Sequence, residues 1–175
     1  MDETGHTFRA RVTTTWALRG RPPLLRRLSK RREISSVIAV TPAGRLAAWH
    51  VRGSVKGPTT CRALRHFRRV FRRPLLIIWD RGTAHTAREV QAFLAAHPRD
   101  FAAARLPAYA PELNPEEQAN AIIKWRMANA VPASLPELKA HACRGIRYLQ
   151  RHPTLVRHFF AHAGLPASTH HRERH

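Results

Sequence analysis

The sequence has few cysteines and no long hydrophobic run. Its two cysteines, Cys61 and Cys143, lie far apart and lack the CxxC spacing of a zinc site. This excludes a disulfide framework and a zinc knuckle, and it predicts two reduced thiols. No apolar stretch approaches the roughly 18 residues that a membrane-spanning helix needs. The first residues, MDETGHTFRA, also lack the basic and apolar regions of a secretory signal, so we expect a cytoplasmic protein without a membrane partner.

Acidic residues are scarce as well. The chain has 11 Asp and Glu residues against 31 Lys and Arg, which gives a formal net charge of +20. Such a positive field concentrates polyanions near the surface, so nucleic acid is the leading partner and the nucleoid the expected location. A merely solvated basic face is the alternative interpretation of the charge.

The remaining composition predicts one folded domain. The chain has 175 residues, of which 43% are hydrophobic, and this is enough for a hydrophobic core. Residues 19–32 are rich in arginine and contain two prolines, which predicts an exposed loop. Residues 168–175 are polar and basic, so we expect a domain over 1–167 and a disordered basic tail over 168–175.

The pattern of apolar residues predicts a mixed α/β fold. Residues 34–40 and 45–51 resemble a β-hairpin, and residues 75–79 resemble a strand buried on both faces. Thr86 and Glu89 have capping-box spacing and predict a helix start that leads to another strand, over 101–106. Further helices are expected over 59–73, 115–130, 135–150 and 153–163. This order is compatible with an RNase H-like three-layer fold, and also with other three-layer α/β folds.

Three acidic residues stand at informative places. Asp80 follows the most apolar strand, where open parallel sheets place their sites, although a loop-initiating Asp is the alternative. Asp2 lies near the chain start, where a loose terminal acid is the plainer interpretation. Glu117 has capping-box spacing to Asn114, so a purely structural role is possible for it.

The orientation of Glu117 is predicted from helical periodicity. In the helix after Asn114, periodicity predicts an apolar stripe of Ala121, Ile122, Trp125 and Ala128. That stripe has Glu117 on its flank, facing the sheet, and Glu116 on the opposite, solvent side.

Four motifs together resemble the catalytic domain of DDE transposases, specifically the mariner-like bacterial insertion-sequence group called the six-thirty family. Residues 2–5 (DETG) resemble its DE-[ST]-G motif, and residues 15–23 (TWALRGRPP) resemble TWAxRGxxP. Residues 79–85 (WDRGTAH) resemble WDNxxxH, and residues 106–117 (LPAYAPELNPEE) resemble LPxYxPxLNPxE. The resemblance covers essentially the whole chain. It implies an RNase H-like α/β fold with a mixed sheet, helices on both faces and a helical C-terminus.

The resemblance also implies a site and a reaction. Asp2, Asp80 and Glu117 would be the catalytic acids and the ligands of two Mg²⁺ or Mn²⁺ ions, which prefer oxygen donors. His85 would support them by orienting a phosphate or a metal-bound water, unless it is an ordinary loop histidine, and Asn114 would be a second supporting residue. The implied activity is DNA cleavage and strand transfer, with transposon ends and target DNA as partners and a possible homodimer in a synaptic complex. Candidate DNA contacts are Arg26, Arg27, Arg31, Arg32, Arg62, Arg65, Arg69 and Arg72.

The sequence departs from the family pattern in three places. Arg81 stands where the family usually has Asn, and Asn120 replaces an expected Trp. Asp2 directly follows Met1, so we expect a truncated first strand and no upstream helix-turn-helix. Two further hypotheses therefore stay open: a catalytically inactive basic DNA-binding remnant of a transposase, and an RNase H-like nuclease of repair or recombination.

Overall fold

The computed structural model describes residues 1–9, 11–26, 33–107 and 110–165. The expected tail over 168–175 lies outside this range, and the domain boundary at 167 stays a prediction. Within the described residues no helix is long and apolar enough to cross a membrane. The strands are β1 (Asp2–Thr7), β2 (Glu33–Val40), β3 (Leu46–Arg52), β4 (Leu75–Trp79) and β5 (Phe101–Arg105). The helices are α1 (Gly57–Phe71), α2 (Thr83–Thr86), α3 (Arg88–Ala96), a 3₁₀ turn (Pro111–Leu113), α4 (Pro115–Arg126), α5 (Leu135–Arg151) and α6 (Pro153–His162).

The strands form an antiparallel and a parallel group. β2 pairs antiparallel with both β1 and β3, which confirms the predicted hairpin. β4 pairs parallel with β5 across a connection formed by α2 and α3, which confirms the predicted parallel crossover. The amine of Met1 donates a hydrogen bond to the carbonyl of Ile78 over 2.8 Å. This contact brings the start of β1 beside the end of β4.

Asp2 has a supporting strand, although the sequence predicts a truncated first strand. β1 has six residues and pairs along its length with β2, with Asp2 opposite Ile38 and Thr7 opposite Glu33. Thr4 and His6 are buried while Gly5 and Thr7 are exposed, which is the alternation of a half-buried strand. β2 satisfies the backbone groups of this polar strand and His6 hydrogen-bonds to Ser36 inside, so a long apolar run is not required.

The prediction that β4 is buried on both faces is wrong. Ile77 and Trp79 are buried, but Leu76 and Ile78 are 66% and 43% exposed. The cluster in which Ile77 and Trp79 pack with residues such as Leu64 does not include Leu76 or Ile78. A continuous apolar run cannot by itself reveal that the second face is uncovered.

The helix after β4 does not start at the predicted capping box. α2 ends at Thr86 and α3 begins at Arg88, with Ala87 as an N-cap that offers no side-chain hydrogen bond. The hydroxyl of Thr86 donates backwards to the carbonyl of Gly82 over 3.2 Å instead. Because that hydroxyl serves the preceding turn, capping-box spacing gave the wrong helix start.

Hydrophobic side chains cover both faces of the antiparallel strands. Val37 of β2 packs with Phe67 and Phe71 of α1. Its neighbour Ile38 points the opposite way and packs with residues of α4, α5 and α6, including Ile123. The antiparallel sheet is therefore a middle layer between two helical layers, and the expected α/β fold with helices on both faces and a helical C-terminus is confirmed. The described strands form a three-stranded antiparallel sheet and a two-stranded parallel sheet.

A chain of buried polar side chains crosses the antiparallel strands. His6 Nε2 lies 2.8 Å from the hydroxyl of Ser36, and that hydroxyl lies 2.8 Å from His50 Nδ1. His50 Nε2 in turn lies 3.4 Å from the thiol of Cys143 on α5. Burial lowers the pKa of His6 and of His50 to about 4, with a smaller contribution from neighbouring positive charges.

The buried histidine His6 is expected to make folding stability depend on pH. Its pKa is lower in the folded chain than in the unfolded chain, so its contribution is complete above pH 6.5 and is lost as the pH falls towards 4. From pH 7 to 4.5 the His6→Gln variant should lose about 2 to 3 kcal/mol less unfolding free energy than the wild type. Urea denaturation at both pH values measures this, and equal losses in the two proteins would contradict it.

Candidate active site

Asp2 is held at the first position of β1. Its Oδ1 accepts a hydrogen bond from the backbone amide of Glu3 over 2.7 Å, and its Oδ2 accepts one from the side-chain amide of Asn114 over 3.3 Å. Burial raises the pKa of Asp2, and the negative charges of Asp80, Glu117 and Glu3 raise it further. Three acids from separate parts of the chain therefore act electrostatically on one carboxyl group.

Asp80 directly follows β4, as the sequence predicts. Its Oδ1 accepts hydrogen bonds from the backbone amide of Gly82 over 2.9 Å and lies 2.7 Å from His85 Nδ1. A Cβ atom at position 82 would lie only 3.0 Å from this Oδ1, so glycine leaves the space in which the carboxylate turns inward. The side chain stays 54% exposed, so it starts the loop and also remains accessible to a ligand.

His85 bridges two carboxylates. Its ring is 1% exposed and stacks on Trp79, with centroids 4.7 Å apart and planes 10° from parallel. Nδ1 faces Asp80, and Nε2 lies 2.8 Å from Oε2 of Glu3. Burial alone would lower the pKa of His85, but the hydrogen bonds and charges of Glu3 and Asp80 outweigh it and raise the pKa.

The bridging position of His85 explains what it does in the site. Both ring nitrogens face protein carboxylates. His85 therefore holds the side chains of Asp80 and Glu3 in place and is not an ordinary loop histidine. Glu3 is not among the predicted site residues, and its only signal in the sequence is its place beside Asp2 in the DETG motif. Its pairing with His85 depends on the contact between β1 and the loop after β4.

Asn114 connects the start of α4 with β1. Its side-chain oxygen accepts a hydrogen bond from the amide of Glu116 over 3.2 Å, while its side-chain nitrogen binds Asp2. The helix is therefore capped by Asn114, and the same side chain links the helix start to the first acid. The role of Asn114 in supporting the catalytic acids stays a prediction.

The predicted orientation of the two glutamates in α4 is wrong. Glu116 is fully buried, whereas Glu117 is exposed. The buried stripe consists of Glu116, Ala119, Asn120, Ile123 and Met127. The buried stripe contains the polar Asn120, whereas the apolar Trp125 lies outside it and is exposed. Apolar periodicity therefore predicts the wrong buried face of α4.

Glu116 has a fully buried carboxyl group. Neither of its carboxylate oxygens has a hydrogen-bond partner among the described residues. Burial, followed by the negative charge of Asp2, raises the pKa of Glu116 well above its ordinary value. The side chain thus adds a second buried carboxyl group beside Asp2.

The acids provide suitable donor chemistry for a divalent cation. Hard cations prefer carboxylate oxygens, and the repulsion that raises the pKa of Asp2 is relieved when a positive ion binds. The carboxylate oxygens of Asp2, Asp80 and Glu117 are therefore the type of ligand atom that Mg²⁺ and Mn²⁺ prefer. Within residues 1–9, 11–26, 33–107 and 110–165, however, no three His, Cys, Asp or Glu side chains are arranged closely enough to hold one ion.

The candidate DNA-binding arginines fall into two groups. Arg27, Arg31 and Arg32 lie outside the described residues, while Arg26 is described and exposed. The other four lie on α1 or at its C-terminal cap and are exposed, and the guanidinium of Arg65 stacks over the ring of Phe93 at 4.8 Å. These four are Arg62, Arg65, Arg69 and Arg72. Their role as phosphate contacts stays a prediction.

Comparisons with known proteins agree with this geometry. Residues 1–139 match the family described as DDE superfamily endonuclease. Among curated protein sequences no relative is found. The fold is similar to that of the mariner Mos1 paired-end complex with Mg, with a TM-score of 0.62 at 16% identity over 91% of this chain and 52% of that one.

Two further solved structures show the same likeness. A pre-cleavage Mos1 transpososome gives a TM-score of 0.60 at 16% identity, covering 95% of this chain and 55% of that chain. The Mos1 mariner paired-end complex with Mn gives 0.59 at 17% identity, covering 87% and 52%. The chain thus spans about half the length of these solved structures, and at such identities the likeness concerns the fold.

Proposed function

The chain belongs to the DDE superfamily of endonucleases, and from this membership we propose that it cleaves and transfers DNA strands at the ends of an insertion sequence. The RNase H-like fold is that of the Mos1 transposase structures. The observation that carries the proposal is that Asp2 lies where three elements meet: Met1 beside it hydrogen-bonds to Ile78 at the end of β4, and Asn114 at the start of α4 hydrogen-bonds to Asp2 itself. Asp80 follows β4 and Glu117 lies in the first turn of α4. The positive charge of the chain supports DNA as the substrate.

The proposed reaction consists of two displacements at phosphorus. Water attacks the phosphodiester at the transposon end, the bond to the 3′ oxygen breaks, and a 3′-hydroxyl and a 5′-phosphate result. The 3′-hydroxyl then attacks a target phosphodiester, whose own 3′ oxygen leaves. Divalent cations, when bound by Asp2, Asp80 and Glu117, supply positive charge to the attacking and leaving oxygens.

The protein groups around the acids have positioning roles. His85 and the amide of Gly82 fix Oδ1 of Asp80, so the other carboxylate oxygen is the one free to turn outward. Asn114 fixes Oδ2 of Asp2. Ligands that are locked in this way hold a metal more tightly than mobile side chains do. We further propose that the protein works at the nucleoid, as a homodimer that pairs two DNA ends.

A second candidate function is a catalytically inactive DNA-binding remnant. The observation that favours it is that no three donor side chains among the described residues surround one ion. The remnant would keep the positive field and bind DNA, but it would not cut it.

Removal of divalent metal tests the two candidates. The purified chain is incubated with a supercoiled plasmid that carries the coding segment and its flanking DNA, with Mg²⁺, with Mn²⁺ or with EDTA. We expect nicked plasmid with either metal and none with EDTA, because the acids need a cation to act on a phosphodiester. Retardation of the plasmid without nicking under all three conditions would support the inactive remnant instead.

A further inference from the structure

Three adjoining cavities follow helix α4. The first, about 400 Å³ in volume, begins at Glu117 and is walled by Arg9, Arg11 and Lys124. It shares Trp125 with the second cavity, and the second shares Arg126 with a third, which α5 also lines. We call this series the α4 groove. Glu117 and Arg126 are nine residues apart, so the part of the groove between them is about 14 Å long.

Basic side chains dominate the lining of the α4 groove. Beyond Glu117 at its first end, its charged lining residues are all cationic. In the described parts of the chain, none of these cations takes part in an ion pair. Unpaired cations lining one groove suit a polyanion with regularly spaced charges. They are Arg9, Arg11, Lys124, Arg126, Arg144, Arg147 and Arg151.

Aromatic groups give the groove a second property. Trp125 is 62% exposed, although tryptophan side chains are mostly buried on average. It lies on the same stripe of α4 as Glu117, Ala121 and Lys124. Farther along, the guanidinium of Arg126 lies 4.0 Å from the ring centre of Tyr148, which fixes its orientation. An exposed aromatic plane between cations is the arrangement that binds unpaired bases.

One wall of the groove is fixed to the end of α4. The amide of Asn129 donates to the carbonyl of Arg11 over 3.0 Å, and its side chain exchanges hydrogen bonds with Thr13. Asn129 adopts a left-handed backbone conformation with φ of 59°. The segment that carries Arg11 is therefore held beside the helix, and the groove is present before any ligand binds.

We infer that the α4 groove binds the nucleic-acid strand next to the cleaved bond, with an unpaired base stacked on Trp125 and backbone phosphates on the arginines. The assignment of this strand as substrate rests on the proposed function. The groove begins at Glu117, so a strand whose phosphodiester lies at the acids continues directly into it. Nucleic acid is favoured over an acidic peptide because every base offers a flat face to the indole.

Binding of a short single-stranded oligothymidine to the full chain in EDTA tests the inference. The Trp125→Ala variant should bind between about 5-fold and 100-fold more weakly, because stacking on the indole is lost. Trp125→Phe should bind within a few-fold of the wild type, since it keeps an aromatic face. Trp16→Ala is the matched control, because Trp16 is fully exposed and does not line the groove.

The salt dependence of oligothymidine binding by arginine variants tests the inference independently of Trp125. Arg147→Ala and Arg151→Ala should each reduce the slope of log affinity against log salt by about 0.7, the value for one phosphate contact on a single strand. Unchanged binding by Trp125→Ala, or equal weakening by Trp16→Ala, would overturn the inference. Displacement of the oligonucleotide by polyglutamate as readily as by unlabelled oligothymidine would assign the groove to acidic peptides instead.

The result of the oligothymidine-binding experiment does not depend on whether the chain nicks DNA. Oligothymidine binding is measured without metal and without cleavage, so an inactive chain still gives the expected ranking of variants. If nicking fails while this ranking holds, only the proposed cleavage falls. If nicking succeeds while Trp125→Ala binds normally, only the groove assignment falls.

Discussion

Replacing Asp80 by Asn is expected to reduce metal-dependent DNA nicking by about 1000-fold. The substitution keeps the shape of the side chain and its contact with the Gly82 amide, but it removes the negative charge that a divalent cation needs. A metal ion contributes several kcal/mol to stabilising the transition state, and each 1.36 kcal/mol is a factor of ten in rate. The initial rate of plasmid nicking in Mg²⁺ measures the effect.

The matched control for this experiment is Asp100→Asn. Asp100 is also partly exposed and also accepts a hydrogen bond from a basic side chain, Arg68 at 2.7 Å, but it precedes β5. Its replacement should leave nicking within a few-fold of the wild type. Both variants should still bind DNA, since both become more positive. Equal rates for Asp80→Asn and the wild type would remove Asp80 from the site.

The second large effect is expected from the two neighbouring glutamates of α4. Glu117→Gln should reduce nicking by at least about 100-fold, because the exposed carboxylate that acts on Asp2 loses its charge. Glu116→Met should leave nicking within a few-fold and raise the unfolding free energy by about 1 to 3 kcal/mol. The reason is that it removes a buried carboxyl group whose oxygens have no hydrogen-bond partner among the described residues.

Measuring both properties on both variants makes the comparison decisive. Nicking rates locate the third acid, and urea denaturation at pH 7 reports on the buried group. If Glu116→Met abolished nicking while Glu117→Gln retained it, the buried glutamate would be the third acid and the alignment of LNPEE would be off by one position. Loss of stability in Glu116→Met would mean that the buried carboxyl group is satisfied.

The sequence predicted most of the fold because its strongest patterns are local. The hairpin of β2 and β3, the parallel unit of β4 and β5, and the three C-terminal helices all follow from periodicity and turn residues, and they are confirmed. The extent of β1 could not be predicted because its residues are polar and its pairing depends on β2, which begins 26 residues after β1 ends in the sequence. Exposure of Leu76 was missed because it depends on what covers the second face of β4.

The motifs predict which residues form the site but not how those residues contact one another. Asp2, Asp80 and Glu117 are named by the motifs, and their role as catalytic acids stays a prediction; the negative charges of Asp80 and Glu117 both raise the pKa of Asp2. The orientation of Glu116 and Glu117 failed because two faces of α4 have similar apolar content, and only tertiary packing decides between them. The bridging of His85 to Glu3 required knowing that β1 lies beside the end of β4.

The buried chain from His6 through Ser36 and His50 to Cys143 has a consequence for proton placement. A serine hydroxyl has one hydrogen, and a neutral imidazole donates from one nitrogen and accepts at the other. Once Ser36 donates to His50, His6 must donate to Ser36 and His50 must donate towards the sulfur of Cys143; once Ser36 donates to His6, every donor reverses. The tautomers of two rings on different strands are thus coupled, and one cannot change unless the other changes with it.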